Sequence, residues 1–362
     1  MLRYTLLVCL ILIAYQSGAQ KLKKENFYVG IEAGTGAIFK HSEQIAHISN
    51  ANPLSFDFHL RYVLPGNKIW QEKMGLPSAG LVLTYTDMDN PQVLGNSYHL
   101  TSYLTFPIRD GNKLDFEFRL GVGATYATRK FDLQMNRKNN LYSTDFSGMA
   151  YLRFAFNYQL TEQLFLSNSF GLSHYSNGSY KLPNLGVNIL TFNIGTYYRL
   201  SKKPLVYENA IEDPVPDKKY LMNIVTGYGW KASFPISDDR FSIYTLMVQA
   251  EKKTKGVGSW LAGIDFNKNE SLEKEQNYLF PDKEFQNDYR IAVLGGYSLN
   301  VGRLSALGQL GIYLYSPVDP PRPYYQKIGL RFRFIDQFHL GLNLKAHAGV
   351  ADFVEYVITY KI

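Results

Sequence analysis

A single cysteine among 362 residues excludes a disulfide scaffold and a zinc site built on thiolates. Charged residues are also scarce: Asp, Glu, Lys and Arg make up 19%, below the share usual in soluble domains. Beyond residue 20 the chain has no uninterrupted apolar run of about 18 residues, so it is not built from membrane-spanning helices. Tryptophan occurs only 3 times, whereas tyrosine and phenylalanine number 28 and 23. Disordered chains lack such an aromatic load. The composition therefore points to an aromatic-rich all-β protein.

The formal net charge is +7, but the basic residues are scattered singly or in pairs, with no stripe to track a phosphate backbone. No nucleic-acid partner is expected. Lys21, Lys23 and Lys24 directly follow a segment with the marks of an export signal. In that segment Arg3 supplies the positive start, Leu6 to Ala14 the short apolar run, and Ser17 and Ala19 the small residues before a cleavage point. Residues 1–20 are read as a cleaved signal peptide. Cys9 lies inside it, so the exported chain holds no thiol, which suits an oxidising compartment. A mild positive charge outside the cytoplasm fits anionic lipid or polysaccharide.

Strand-like segments recur near 27–38, 54–64, 78–86, 97–107, 114–127, 145–160, 164–176 and 188–200. A second set lies near 220–232, 241–252, 257–267, 287–300, 302–316, 324–335, 337–347 and 352–362. Gly, Asn, Asp, Pro and Lys clusters separate them. No segment carries a convincing period of 3.6. Within 338–346 the even positions Phe338, Leu340, Leu342 and Leu344 are apolar, and the odd positions include His339, Asn343 and Lys345. One face meets something greasy and the other meets polar groups. With an export signal and many aromatics, this predicts an antiparallel up-and-down transmembrane β-barrel in the outer membrane.

The stretch 201–219, with Pro204, Pro214 and Pro216, breaks the alternation. The expected organisation is a barrel over 21–200, a linker or periplasmic segment over 201–219 and a second unit of about eight strands over 220–362. A single barrel of about sixteen strands is the alternative. Residues 156–174 and 332–347 look weakly alike, as an internal duplication would. Glycine pairs such as Gly34 and Gly36, or Gly121 and Gly123, precede no helix and read as strand glycines where the wall curves.

Residues 164–176 carry the chemistry. Their odd face holds Ser167, Ser169 and Ser173, small enough for a narrow lumen; their even face holds Leu166, Phe170 and Leu172, suited to lipid. His174 and Ser176 continue the lipid-facing row. A polar pair in that position costs free energy and marks a functional candidate. At i and i+2 on one strand face, an imidazole nitrogen reaches the serine oxygen, the nucleophile–base contact of acyl transfer. Asn188 begins the same row on the next strand, where its amide oxygen could accept from the His174 N–H and orient the ring. His347 faces the lumen by its pattern, with no serine two positions later, and His41, His47, His59, His99 and His339 are scattered without HExxH-type spacing.

His174, Tyr175, Ser176 and Asn177, followed by Pro183, Asn184, Leu185 and Gly186, resemble the lipid A 3-O-deacylase (PagL) family. The resemblance is close over about 30 residues and extends over the first 200 by strand pattern alone. It implies an eight-stranded outer-membrane barrel that removes an ester-linked acyl chain from lipid A, with no metal or other cofactor. It places the family's histidine on His174, its nucleophile on Ser176 and the Asn linked to the oxyanion site on Asn177. Asn184 and Gly186 fall in the supporting loop. The family's catalytic Glu falls on Asn188, a departure: an amide orients the imidazole but brings no charge. The implied partner is lipopolysaccharide in the outer leaflet. Starting the exported chain in the periplasm brings 164–176 to the extracellular side at His174 and Ser176, with Lys181 near the phosphates. A passive channel, a lipid transporter or a structural barrel is the competing expectation.

Overall fold

The computed structural model describes residues 22–109, 111, 113–210, 219–232, 239–279, 281–282 and 284–362. The expected signal peptide lies outside these residues, as does 211–218 of the expected linker. Sixteen strands account for most of the described chain. The first eight are β1 (Phe27–Ile38), β2 (Leu54–Val63), β3 (Ser78–Asp87), β4 (Asn96–Arg109), β5 (Leu114–Ala127), β6 (Phe146–Gln159), β7 (Leu164–Ser176) and β8 (Val187–Arg199). The second eight are β9 (Tyr220–Ala232), β10 (Arg240–Lys253), β11 (Gly258–Asn269), β12 (Tyr289–Val301), β13 (Leu304–Tyr315), β14 (Tyr324–Ile335), β15 (Phe338–His347) and β16 (Val350–Lys361). Each expected segment is a strand. The two stretches that looked alike occupy the sixth and seventh strands of each set.

The strands close into two antiparallel barrels. β8 bonds to β1, from Tyr28 opposite Arg199 to Ile38 opposite Ile189, and so seals the first. β9 bonds to β10 and to β16, sealing the second. The sixteen-strand alternative is thereby overturned: β8 spends its free edge on β1, leaving none for β9. Closure removes every exposed edge, which a membrane requires of strands.

Side-chain alternation sorts the residues as the pattern required. On β2, Phe56 and Phe58 point out while Ser55, Asp57 and His59 are buried. On β15, Phe338 and Leu340 are outside while His339, Asn343, Lys345 and His347 are buried. Ile31, Phe192, Ile328 and Ile358 belong to the apolar outer surfaces.

The first lumen is filled by an ion-paired network. Glu32 accepts from Arg119 at 3.1 Å, from Ser167 and Ser169 at 3.1 Å each, and from the Tyr197 hydroxyl at 3.0 Å. Arg153 donates to Asp57 at 2.6 Å. In the second lumen Lys327 Nζ lies 3.0 Å from Asp265 and 3.2 Å from Glu355, and Asn343 donates to Glu355 at 2.8 Å. Eight strands leave room for little more than such side chains.

Two features depart from the sequence expectation. Short helices occur at Ile69–Lys73 and Leu272–Leu279. Neither is long enough to establish a helical period. The strand glycines have a packing reason beyond curvature: a β-carbon on Gly30 would lie 2.5 Å from the Tyr197 ring, and one on Gly121 2.6 Å from the Tyr151 ring. Missing side chains there let buried tyrosines lie across the barrel wall.

At one end of the first barrel the filling turns apolar. Ile38, Ile45, Ile48, Met88, Leu94, Leu141, Tyr142, Tyr175, Val187 and Ile189 form one buried cluster. Tyr142 donates to the Leu94 carbonyl at 3.1 Å, and burial pushes its phenol pKa well above the ordinary value. This cluster holds the end of β7 and the start of β8 from inside.

Candidate active site

Tyr175 points inward and is 1% exposed, so its neighbours His174 and Ser176 point outward. Val187 and Ile189 are buried in the same way on either side of Asn188. A one-residue change of register would reverse all three polar groups. The register is fixed: His174 stands directly opposite Asn188 on β8, while Ala150 and Gly148 of β6 stand opposite His174 and Ser176.

Opposed residues on one sheet face lie close enough for short side chains to meet. His174 Nδ1 is 2.8 Å from Asn188 Oδ1, and His174 Nε2 is 3.3 Å from Ser176 Oγ. An amide oxygen can only accept, so Nδ1 carries the hydrogen and Nε2 presents its lone pair to the serine hydroxyl. That is the tautomer a general base requires. Ser176, His174 and Asn188 are thus brought together as the sequence expected.

The loop residues play a different part. Asn184 Oδ1 accepts the Asn177 backbone N–H at 3.0 Å. That engages the backbone N–H of the residue that the resemblance linked to the oxyanion site. The Asn177 side chain reaches Ser143 Oγ at 3.4 Å. Gly186 has φ of +75° and donates its N–H to the Leu141 carbonyl at 2.8 Å. An added β-carbon there would stand 2.9 Å from His174 Cε1 and 3.3 Å from Ser176 Cβ. The loop therefore passes directly behind the His–Ser pair.

One residue of this constellation escaped the sequence reading. Asn188 Nδ2 lies 3.1 Å from His41 Nδ1, and His41 Nε2 lies 3.0 Å from the Leu185 carbonyl oxygen. The available signal was parity. Ile31, Ala33, Thr35, Ala37 and Phe39 form the outward row of β1 and its extension, and His41 is the next odd position. Phe39 N–H bonds to the Asn188 carbonyl at 2.8 Å, which carries the pairing past the strand end and brings His41 to the site.

The other histidines have separate surroundings. His47 contacts the Lys138 carbonyl, His99 contacts Thr125, and His347 contacts the Tyr313 hydroxyl. His59 lies 3.7 Å from Glu32 and 3.8 Å from Asp57, the one group among the described residues with a metal-like clustering of donors. Arg119 and Arg153 already neutralise those carboxylates, so the donor set is that of a polar core, not a cation site.

An apolar exterior, a filled polar interior and complete strand closure define a membrane β-barrel, here built twice in one chain. Residues 54–197 match the family described as lipid A 3-O-deacylase (PagL), and residues 220–362 match that described as acyloxyacyl hydrolase, C-terminal domain. Each match spans less than half of the chain: the first barrel is similar to the lipid A 3-O-deacylase family, as the sequence suggested, and the second to the C-terminal domain of an acyloxyacyl hydrolase. No curated protein matches it. Among solved structures, the outer membrane enzyme PagL is 15% identical, with 46% of this chain and 97% of that chain covered and a TM-score of 0.34. Neisserial surface protein A is 13% identical, covering 48% and 96%, with a TM-score of 0.33. The Pseudomonas putida toluene transporter TodX is 9% identical, covering 93% and 88%, with a TM-score of 0.18.

Proposed function

We propose that the first barrel is an outer-membrane ester hydrolase that removes an acyl chain from lipid A. The observation that carries this reading is the continuous hydrogen-bonded chain from Ser176 through His174 to Asn188 on the apolar exterior. His174 Nε2 takes the hydroxyl proton as Ser176 Oγ attacks the acyl carbonyl. The tetrahedral intermediate collapses, and His174 returns the proton to the departing sugar oxygen. Water, activated by the same imidazole, then releases the fatty acid and restores Ser176.

Asn188 orients the ring in this scheme. It supplies no negative charge to the imidazolium, so the chemical step runs more slowly than a carboxylate would allow. Asn184 holds the Asn177 turn. The Asn177 side-chain amide, with its long contact to Ser143, is the donor offered to the oxyanion. Gly148 and Ala150, opposite Ser176 and His174, leave the wall low enough for an acyl chain to lie against it. Placing β1 to start in the periplasm puts this pair at the outer leaflet, where the lipid A esters are. The substrate reaches the site by lateral diffusion in the membrane.

A conducting channel is less well supported. Arg119, Glu32 and Arg153 occupy the first lumen and Lys327, Asp265 and Glu355 the second. The deciding experiment is mass spectrometry of lipid A from cells expressing the wild type or Ser176→Ala. The wild type is expected to produce lipid A lighter by one acyl chain, and the variant to lower that activity by more than about a thousandfold. Equal deacylation by both proteins would remove Ser176 from the mechanism and this reading with it.

A further inference from the structure

We infer that His41 is a positioning residue for the hydrolytic site, acting through Asn188. This rests on the ester-hydrolase reading above. The problem it answers is specific to an amide. A carboxylate presents two equivalent oxygens, so either face of it orients an imidazole correctly. An amide has one accepting end and one donating end, of nearly the same shape. Turned over, Asn188 would offer its NH2 group to His174 Nδ1. That nitrogen would have to be unprotonated, Nε2 would carry the hydrogen, and the ring would be useless as a base toward Ser176.

The geometry around His41 selects the productive orientation. Its Nε2 faces the Leu185 carbonyl oxygen at 3.0 Å, and a carbonyl only accepts, so Nε2 carries the hydrogen. In the neutral ring Nδ1 is then an acceptor, and it faces Asn188 Nδ2 at 3.1 Å. The Asn188 oxygen is thereby directed at His174 Nδ1, 2.8 Å away. The Phe39 carbonyl lies 3.2 Å from the same Nδ1; a neutral ring has one N–H and can serve only one of the two carbonyls, and the closer one, Leu185, leaves Nδ1 as the acceptor for Asn188. The whole line runs from Ser176 Oγ–H to His174, on to Asn188, on to His41 and ends on the Leu185 carbonyl. Each hydrogen points away from the serine. Leu185 belongs to the same loop as Asn184 and Gly186, so that loop also sets the tautomer at the far end of the relay.

His41 is exposed and its hydrogen bonds run to Phe39, Leu185 and Asn188, so its removal is not expected to unfold the barrel. The test is kinetic and spectroscopic, on the full chain in detergent micelles with purified lipid A as substrate. His41→Ala is expected to lower kcat by about five- to tenfold, the scale of one lost neutral hydrogen-bond preference, and to leave KM within about twofold. His41→Gln, which can both accept and donate, is expected to recover most of that loss. In an Asn188→Asp background, His41→Ala is expected to cost less, because a carboxylate has no wrong end. Independently of turnover, nitrogen-15 NMR of labelled histidine is expected to find His174 protonated at Nδ1 in the wild type and a tautomer mixture in His41→Ala.

An unchanged kcat and tautomer in His41→Ala would overturn the inference. So would an equal kcat loss in the Asn188→Asp background, which would mark a general structural role. A change in KM alone would move His41 to substrate binding and overturn it as well. Should Ser176→Ala stay active, the hydrolase reading fails, while the tautomer measurement still decides what His41 does to His174.

Discussion

Gly186 is packed so closely behind His174 that a β-carbon on it would lie 2.9 Å from the ring carbon Cε1. The same atom would press on Ser176 Cβ from 3.3 Å, and the backbone there has φ of +75°. Gly186→Ala therefore meets two penalties, a left-handed backbone and a displaced imidazole. Hydrolysis is expected to fall by about a hundredfold, the cost of an ångström-scale misplacement of a catalytic group. The barrel should stay folded, as heat-modifiable migration in detergent gels would report. Wild-type turnover in that variant would mean the loop does not set the dyad.

Asn188→Asp has the opposite expected sign. The change keeps the shape of the side chain and adds the charge that an imidazolium needs. Exchanging a triad acid for its amide costs about four orders of magnitude in a serine protease. A gain of about tenfold or more in kcat is the expected result here, read from fatty-acid release at saturating lipid A. No gain, or a loss, would show that this site does not develop a full imidazolium opposite Asn188.

Phe170 tests the outward direction of the row that His174 and Ser176 continue. It is 48% exposed and lies two turns of the alternation below His174 on β7. Phe170→Arg should cost about 2–4 kcal/mol of membrane stability if the position faces the hydrocarbon midplane. Reversible unfolding from lipid vesicles measures it. A near-neutral effect would place this face of β7 away from lipid.

Glu32 is the centre of the first lumen. It is 3% exposed and receives hydrogen bonds from Arg119, Ser167, Ser169 and Tyr197. Glu32→Ala removes the closer of two carboxylates beside buried Arg119 and leaves it Glu117 at 3.6 Å, so the expected loss is about 3 kcal/mol in folded-state stability, the low end for a broken buried pair. Replacing Glu32 and Arg119 together by apolar residues should cost less than Glu32→Ala alone. A double-mutant cycle in vesicles decides between these outcomes.

The chain's alternation announced nearly all of the fold. Period-two patterning is a local property: on β15, apolar Phe338, Leu340, Leu342 and Leu344 are written in the order in which they face outward. The dyad was legible for the same reason, since His174 and Ser176 sit two residues apart on one strand. Asn188 was reachable because a hairpin pairs neighbours in sequence. The short helices were not legible, being shorter than the window in which a helical period emerges.

What sequence by itself determined is the strand set, the two faces of each strand and the candidate Ser–His–Asn chain, all consequences of local spacing. What only tertiary structure decided is closure and long-range pairing. Whether β8 bonds to β1 or to β9 depends on which free edge it meets, and both candidates carry the same pattern. His41 joins Asn188 across 147 residues only because that closure brings the ends of β1 and β8 together. Patterning sets which way a side chain points; the chain's path through space sets what it finds there.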